Sequence, residues 1–500
     1  MNILKRILAA VLIVSVMLSF SSVASADENS IKTYEYTGGN YLSTYSSNAL
    51  LEETLTDAWS DFDSVVNVLK YKLKVNDLSV YYEICNLYPE YFYIDSSVKY
   101  DCNLLGYINN IYIQYIATKE VCISQSLQLE NTVDNILLKM NEIKTDEDKV
   151  VFIHDYISTH TTYYSDAFSG DADSVDKYSY NAYGCLVNGV AVCQGMSVSF
   201  ILLCKKVGIE ASLVSSSEMN HAWNLVKLGE NYYHLDITWD DSGSEAGIGF
   251  DGENFIDVKG FASHKYFLKS DEQMLSLEHY SWEDTFSAAD NATYNNYYWD
   301  NVYSHIYFID GFQYFIKNSK LIKRNADTGE EKILYTIANS KFSVDGTNYV
   351  WNSKNAVLSY NYSDKFLLMN LSDGVYAYNI VSDEITKVFD YSGNGYIAGI
   401  FFENKTLYYD IVSVKNNKLY KLGEGQTEIE LPEEQIVYGD LNRSGNVDIA
   451  DVLEMRKYLC NYGNDIDKTA ADVNKDNSVD LIDLLLLYRY LLNYDVTLGG

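Results

Sequence analysis

The chain has 500 residues, of which 47% are hydrophobic and 21% charged, and its formal net charge is −33. A chain of this length is long enough for about three domains. The large negative charge is repelled by nucleic acid phosphates and by anionic lipid headgroups, so the composition excludes both as favoured partners.

The first 26 residues have the pattern of a secretory signal peptide. Lys5 and Arg6 form the charged start, residues 7–20 are apolar, and residues 24–26 read Ala-Ser-Ala, which suits cleavage. The alternative is an uncleaved membrane anchor, but the apolar run is short of the ~20 residues that span a bilayer. We therefore predict a secreted, extracellular protein.

The cysteines are too few for a disulfide framework in a chain of this length. Their number is odd, so at least one thiol stays free or pairs between molecules. The seven are Cys85, Cys102, Cys122, Cys185, Cys193, Cys204 and Cys460.

The patterns divide the mature chain into five parts. We predict an N-terminal α/β region over residues 27–145, an α+β domain over 146–285, a β-rich domain over 286–430, a linker over 431–437 and a small helical module over 438–500. In the first part, a stretch of apolar residues at helical spacing is followed by an alternating, strand-like run. It shows no pattern with a chemical role.

The α+β domain begins with a helix that Thr145 caps. A second helix begins near Cys193, and Gly208 ends it. Three alternating runs follow, and the last two flank Gly229 and Glu230, which predicts a β-hairpin. The predicted buried face of the second helix consists of Met196, Phe200, Leu203 and Val207.

Cys193 is either a nucleophile or a small buried hydrophobic residue, since cysteine is often buried. A helix N-terminus and a neighbouring imidazolium both favour the reactive thiolate, and Cys193 is predicted at such a terminus. Cys204 lies about three turns further along the same helix, so we assign it to the core.

A cysteine nucleophile needs a histidine base that a third group orients. If the hairpin turns at Gly229, His221 faces Thr238 across the sheet and Asp236 is its diagonal neighbour on the same face. The backbone N–H of Cys193 would meet the oxyanion together with one further donor, which the sequence does not place. His234 is a rival base, whereas His154 is expected to pack within its helix.

These residues lie in three segments, "AYGCLVNGVAVCQGMSVSFILLCKKVGI", "NHAWNLVKL" and "YYHLDITWDD". Together with "FIHDYI" and "HKYFL", they resemble the transglutaminase-like superfamily of bacterial secreted proteins. The resemblance implies a papain-like fold, in which a helix carrying the cysteine packs on an antiparallel sheet carrying the other two residues. It implies a catalytic triad of Cys193, His221 and Asp236. Gln194 follows the cysteine, where animal transglutaminases have tryptophan.

The β-rich domain is rich in Tyr, Asn and Ser and contains three loosely similar segments of short strands. Such echoes suggest antiparallel units like propeller blades. At about four strands a blade, only about three blades fit, too few to close a propeller. Its topology stays open.

Two twelve-residue segments near the C-terminus repeat one pattern at a spacing of 32 residues. Oxygen-bearing side chains recur at alternate loop positions, as in loops that wrap calcium with six to eight oxygens. The alternative is a pair of solvated acidic turns. Position 6 requires a positive φ, which Gly445 and Asn477 supply. The predicted ligands are Asp440, Asn442, Ser444, Asn446, Asp448 and Asp451 in the first loop, and Asp472, Asn474, Asp476, Ser478, Asp480 and Asp483 in the second.

Each loop leads into one helix and ends in Asp, a duplicated pattern that closely resembles a type I dockerin over residues 438–495. The resemblance implies two calcium ions and docking onto a cohesin domain of a scaffoldin or cell-surface protein. Loop positions 10 and 11 face the partner in dockerins. Those positions hold Ile449 and Ala450, and Leu481 and Ile482.

Together these features predict a secreted, cellulosome-associated cysteine enzyme that acts on protein or peptide amide bonds through a thioester at Cys193, without a catalytic cofactor. Resolution of the thioester by water makes it a peptidase or amidase. The alternatives are a protein-crosslinking acyltransferase and a catalytically silent binding or structural subunit. No carboxylate pair typical of a glycosidase is readable, although a dockerin implies a polysaccharide-degrading setting.

Overall fold

The computed structural model describes most of the chain. The described residues are 31–34, 49–95, 97–164, 176–241, 248–249, 255–256, 258–282, 288–361, 365–416, 418–432, 437–442, 446–460 and 466–499. The predicted signal peptide lies outside these ranges. Within them, no helix has both the length and the apolar character needed to cross a bilayer.

The chain forms two compact units, the first of which contains an N-terminal sheet and two helices. The helices are α1 (Ala49–Asp61) and α2 (Ser79–Leu87), and the strands are β1 (Lys32–Tyr34), β2 (Val65–Asn67), β3 (Val98–Cys102) and β4 (Ile108–Tyr112). The strands pair antiparallel in the order β1-β3-β4-β2. Apolar residues continue at helical spacing beyond residue 61, but helix α1 ends there. Phe62 adopts a φ of +60°, and the β-branched Val65 and Val66 pair with β4.

The second unit begins with a central region of helices around a three-stranded sheet. Its helices are α3 (Lys119–Lys139), α4 (Asp146–His160), α5 (Ala182–Leu186), α6 (Cys193–Lys206), α7 (Ile237–Asp240) and α8 (Asp271–Ser276). Its strands are β5 (Thr162–Tyr163), β6 (Val190–Ala191), β7 (Ala211–Ser216), β8 (His221–Leu228), β9 (Asn231–Leu235), β10 (Ile248–Gly249) and β11 (Phe255–Ile256). Thr145 caps α4 by accepting a hydrogen bond from the Asp148 amide, as the sequence predicts.

Helix α6 packs against the β7-β8-β9 sheet. Met196, Phe200 and Leu203 are buried, which confirms most of the predicted face, and Val207 is half-buried. Asn224 on β8 donates its side-chain amide to the Ser197 carbonyl at 3.0 Å. This contact joins the sheet to the first turn of α6, so the positions of the two elements are coupled.

A β-rich region follows, made of short antiparallel strands. They are β12 (Tyr307–Ile309), β13 (Phe312–Lys317), β14 (Lys320–Asn325), β15 (Glu331–Thr336), β16 (Ser340–Val344), β17 (Thr347–Trp351), β18 (Leu358–Tyr360), β19 (Phe366–Leu371), β20 (Gly374–Asn379), β21 (Ile385–Asp390), β22 (Tyr396–Glu403), β23 (Thr406–Lys415) and β24 (Lys418–Glu428). The described strands form sheets of four, two, four and three strands around one hydrophobic core. These sheets resemble blades but do not close into a barrel.

Buried polar contacts join the β-rich region to the central region. Gln313 on β13 donates to the Asp148 carboxylate on α4 at 2.7 Å, and the Lys259 amide donates to the buried Asp410 at 2.6 Å. Gly260 has a φ of +77°, and a Cβ there would lie 2.3 Å from the Ile400 carbonyl. The two regions therefore share a close-packed boundary rather than a loose linker.

The C-terminal region contains three helices and a small core of its own. The helices are α9 (Ile449–Leu459), α10 (Lys468–Ala471) and α11 (Leu481–Leu491). Helix α9 packs on α11, with Val452, Met455 and Leu487 buried between them.

Candidate active site and calcium-binding loops

Cys193 is the first residue of α6. Val192 precedes the helix in an extended conformation, and its side chain does not cap the first turn. Gly195 allows this arrangement because a Cβ there would lie only 2.3 Å from the Ser179 carbonyl. The helix terminus therefore places partial positive charge beside a half-buried thiol.

The hairpin of β8 and β9 brings His221 and Asp236 together. Asn224 pairs with Leu235 and Leu228 pairs with Asn231, which is the predicted register. His221 Nε2 donates to Asp236 Oδ2 at 2.6 Å.

The strand predicted to run through Asp236 to Trp239 ends instead at Leu235. Asp236 caps the short helix α7, and its Oδ1 accepts a hydrogen bond from the Trp239 amide at 3.1 Å. Capping propensity overrides strand propensity at this position. The capping bond leaves Oδ2 directed at His221 and fixes the carboxylate orientation.

Electrostatics favour a charged imidazole at this site. Burial alone would lower the pKa of His221, but the Asp236 carboxylate and a hydrogen bond with the Cys193 thiol raise that pKa to about 10. Burial also opposes ionisation of Asp236, yet the two neighbouring histidines hold the pKa of its carboxyl well below the ordinary range. These contacts favour an imidazolium at His221 beside the ionised Asp236 carboxylate.

Two indole rings fix the imidazole plane of His221. Trp223 stacks on it at 5.7 Å between ring centroids, and Trp239 stacks at 5.6 Å. Aromatic faces also attract a cation, which favours the imidazolium form.

His279 is a site residue that sequence reasoning missed. Its Nε2 donates to the same Asp236 oxygen at 2.8 Å, and its ring is fully buried. The only sequence signal was that His279 is one of seven histidines, all of which lie within residues 154–305. It lies just beyond the end of helix α8, and no local pattern predicts its contact with a partner 43 residues away.

The cluster of His221, Asp236 and His279 has the residue types of a metal site. Tetrahedral zinc with bonds of about 2.0–2.2 Å separates its ligand atoms by roughly 3.3–3.6 Å. The observed separations of 2.6 and 2.8 Å are shorter and typical of charge-assisted hydrogen bonds. We therefore describe this cluster as a hydrogen-bonded triad with a second histidine.

The structure places the rival residues elsewhere. His234 donates to Asp271 at 2.8 Å and accepts from the Trp223 indole, so both of its ring nitrogens are engaged. His154 is fully buried and lies between Asp155 and Asp240. Cys204 is buried, and all seven cysteines are free thiols.

The two C-terminal loops fold around their carboxylates. In the first, Asp451 accepts the Leu441 and Asn442 amides through Oδ1 and the Asp448 amide through Oδ2. In the second, Asp483 accepts the Asn474 amide through Oδ1 and the Asp480 amide through Oδ2. Among the described residues, both loops thus share the bonds from the backbone amides at loop positions 3 and 9 to the carboxylate at position 12.

The donor set fits calcium. Asn477 adopts a φ of +67°, the left-handed conformation that loop position 6 requires. Every predicted ligand side chain offers oxygen, which suits a hard cation. The Asp472 carboxylate accepts hydrogen bonds from the Asp476 and Asn477 amides, and these bonds bend the second loop around its own carboxylates. Ser444 and Gly445 of the first loop lie outside the described residues.

The predicted partner-facing residues are exposed on the first turns of α9 and α11. Ile449, Leu481 and Ile482 are 68%, 72% and 53% exposed, and Ala450 is exposed beside them. Leu453 and Leu485 extend this surface by one turn on each helix. Six exposed apolar side chains on two short helices are typical of a docking surface.

Comparison with known proteins finds family matches for two parts of the chain. Residues 135–237 match the family model of the transglutaminase-like superfamily, and residues 438–492 match that of the dockerin type I domain. The chain therefore contains a transglutaminase-like core and a type I dockerin region. Type I dockerins bind calcium and belong to extracellular, cellulosome-associated proteins.

Two solved structures show a limited likeness to the chain. One, described as a TGase, has 17% identity and a TM-score of 0.21 over 28% of this chain and 43% of that one. The other, a putative cysteine protease from Cytophaga hutchinsonii, has 19% identity and a TM-score of 0.19 over 28% and 56%. The chain thus spans about half the length of each. A search of curated proteins gives no match.

Proposed function

We propose that this protein is a secreted cysteine peptidase or amidase that cleaves protein or peptide amide bonds through a thioester at Cys193. The observation that supports it most directly is the hydrogen bond of 2.6 Å from His221 to Asp236, with the His221 imidazole also bonded to the thiol at the start of α6. This is the arrangement that activates a cysteine nucleophile.

Each residue has a distinct role in the proposed reaction. His221 takes the thiol proton, and the Cys193 thiolate attacks the amide carbonyl carbon. As the C–N bond breaks, the His221 imidazolium gives its proton to the leaving amine. Water then attacks the thioester with neutral His221 as base, which releases the acid and restores the thiol. Asp236 keeps the imidazole oriented throughout.

Casein is a suitable first substrate for the full-length protein. We expect new peptides in the wild type and none with the Cys193→Ala variant, and no incorporation of monodansylcadaverine. Because Cys193 is only half-buried, loss of its sulfur should leave the fold intact. Cys204→Ala, at a buried cysteine far along α6, is the matched control and should keep activity per folded molecule.

Two results would contradict this reaction. Cys193-dependent incorporation of the amine would make the protein an acyltransferase. Neither peptide release nor incorporation on any protein substrate would favour a silent binding or structural subunit.

We further propose that the C-terminal region binds two calcium ions and docks onto a cohesin of a scaffoldin or cell-surface protein. Asp440, Asp448 and Asp451 would contribute to the first ion, and Asp472, Asp476, Asp480 and Asp483 to the second. The surface of Ile449, Ala450, Leu481 and Ile482 would meet the partner. Calcium supplies the charge that lets closely spaced carboxylates converge.

The docking proposal is tested with the full-length protein and a type I cohesin. We expect binding with calcium, loss of binding in EDTA, and at least about a tenfold weaker affinity for Ile482→Asp, because a hot-spot loss costs 1–2 kcal/mol or more. Leu492→Asp, at an exposed leucine beyond the end of α11, is the control and should bind normally. Equal binding in calcium and EDTA would contradict the calcium proposal.

A further inference from the structure

The second oxyanion donor, which the sequence leaves unplaced, has a candidate in Tyr163. Strand β5 pairs in parallel with β6, so that Tyr163 lies opposite Ala191, two residues before the nucleophile. The Thr162 amide donates to the Gly189 carbonyl at 2.8 Å, and the Tyr164 amide donates to the Ala191 carbonyl at 2.9 Å. These bonds hold the backbone of Tyr163 beside the start of α6.

The Tyr163 hydroxyl reaches the reacting groups. The backbone N–H of Cys193 donates a hydrogen bond to the Tyr163 oxygen, and the Cys193 thiol and the Asp236 carboxylate lie near that oxygen. Burial and these neighbours raise the pKa of Tyr163 above its ordinary value. The phenol therefore keeps its proton at neutral pH and retains an O–H to donate.

The position of this oxygen has a chemical meaning. When a cysteine attacks an amide or ester, the backbone N–H of the nucleophile residue meets the oxygen that becomes negatively charged. That N–H is bonded to Tyr163, so the phenol oxygen lies where the substrate oxygen has to bind. A hydroxyl can leave this amide by a small side-chain rotation and remain next to the incoming oxygen.

We propose that the Tyr163 hydroxyl is the second oxyanion donor of this site and that it cedes the Cys193 N–H to the substrate oxygen. This assignment rests on the proposed function of Cys193. As the sulfur–carbon bond forms, the carbonyl π electrons move to oxygen, and the Cys193 N–H and the Tyr163 O–H both donate to it. On collapse the carbonyl re-forms and the leaving group departs. Tyr163 gives a hydrogen bond but transfers no proton.

The test compares two reactions of Cys193 in the full-length protein and its Tyr163→Phe variant. p-Nitrophenyl acetate acylates the thiolate through an oxyanion and needs no proton for its leaving group. Iodoacetamide alkylates the same thiolate at a saturated carbon, where no oxyanion forms. We expect acylation to fall about 10²–10³-fold in the variant, the loss seen when one oxyanion donor is removed, while alkylation changes less than about twofold.

Tyr180→Phe is the matched control. Tyr180 also lies close enough to the Cys193 thiol for that charge to raise its pKa, but no bond to the Cys193 amide contributes to it. Both reactions should be close to the wild-type rates in this variant.

Three results would overturn the assignment. Unchanged acylation in Tyr163→Phe would leave the tyrosine a structural role only, and equal losses in both reactions would make it a residue that positions or activates the thiol. A loss confined to Tyr180→Phe would transfer the role to that tyrosine. If iodoacetamide alkylates Cys193 of the wild type but the ester never acylates it, the proposed function itself fails. If the wild type is acylated, the results from the variants concern the role of Tyr163 alone.

Discussion

Two clusters in the central region each join one aspartate to two histidines, but their surroundings differ. In the cluster that we propose to be catalytic, here named the catalytic cluster, His221 and His279 donate to one oxygen of Asp236 at 2.6 and 2.8 Å. In the buried cluster, defined as His154, Asp155, His264 and Asp240, His154 Nδ1 and His264 Nε2 lie 2.8 and 2.9 Å from one oxygen of Asp155. Each carboxylate thus faces two imidazoles.

The two clusters differ in the groups that their outermost side chains contact and in their exposure to solvent. The catalytic cluster ends at the Cys193 thiol, which is half-buried. The side chains of the buried cluster have no solvent exposure, and its ends meet backbone groups, since Asp155 accepts from the Ile306 amide and Asp240 from the Tyr266 amide. We therefore propose that the same residue types serve a reaction in the first cluster and the stability of the fold in the second. A thiol and an opening to solvent make the difference.

Replacing the catalytic carboxylate should have the largest effect. We expect Asp236→Asn to lower kcat on the order of 10³–10⁴-fold, because the amide neither stabilises the imidazolium nor holds its tautomer. Casein turnover measures this change, and circular dichroism checks the fold. A decrease of less than tenfold would show that Asp236 is not the orienting group.

The buried cluster should respond in stability instead. Asp155→Asn leaves the buried His154 charge without its closest partner, and breaking a buried pair costs about 3–5 kcal/mol. Urea unfolding followed by tryptophan fluorescence measures the loss. Asp373→Asn, which removes an exposed partner of Lys387, is the control and should cost less than about 1 kcal/mol. Equal costs for the two variants would contradict the distinction.

His279 should have an intermediate effect, because it touches Asp236 rather than the thiol. We expect His279→Phe to lower kcat about tenfold with little change in KM, the value of one lost hydrogen bond to a charged group. His279→Gln retains a donor and should recover most of the loss. If the two variants behave alike, the ring fills space and does not position the carboxylate.

The smallest effects should appear on the alkaline side of the pH profile. Amide turnover needs the His221 proton, so it should fall by half near pH 10, where the raised pKa of His221 lies, while alkylation of Cys193 continues. Hydrogen bonds to Asp155 and Asp240 raise the pKa of His154 to about 9 against the opposing effect of burial. Because both histidines have a higher pKa in the folded than in the unfolded protein, their protonation stabilises the fold fully below the unfolded pKa of about 6.5. This contribution is lost as the pH rises through the folded pKa of each histidine.

The stability curve and the activity curve can therefore be separated. Unfolding midpoints should begin to decline above the unfolded pKa of about 6.5, and the contribution of the buried cluster should be lost by about pH 9, before turnover declines. An activity loss that precedes any loss of stability would contradict the assignment of the two clusters.

The sequence could predict the site where local rules determine it. A glycine-containing turn set the register of β8 and β9, and hence the approach of His221 to Asp236. The apolar spacing after Cys193 predicted the buried face of α6. The loop positions of the C-terminal region follow from ligand spacing alone, and Asn477 adopts the positive φ expected there.

Contacts between distant segments could not be predicted in this way. His279 reaches Asp236 from 43 residues away, and Tyr163 reaches Cys193 through a two-residue parallel pairing. The end of β9 at Leu235 depended on a competition between capping and strand formation at one aspartate. Hydrophobic periodicity does not predict such contacts, because they depend on how distant segments of the chain pack together.

The most direct test of the catalytic cluster is the rate at which iodoacetamide labels Cys193 near pH 6. Cys460 is the internal reference, since it is the exposed cysteine of the chain. An ordinary thiol is almost entirely protonated at about pH 6, whereas a thiolate paired with the His221 imidazolium reacts. We predict that Cys193 is labelled at least about tenfold faster than Cys460 in the wild type, and that His221→Asn abolishes the difference. Labelling of Cys193 no faster than Cys460 would contradict the account.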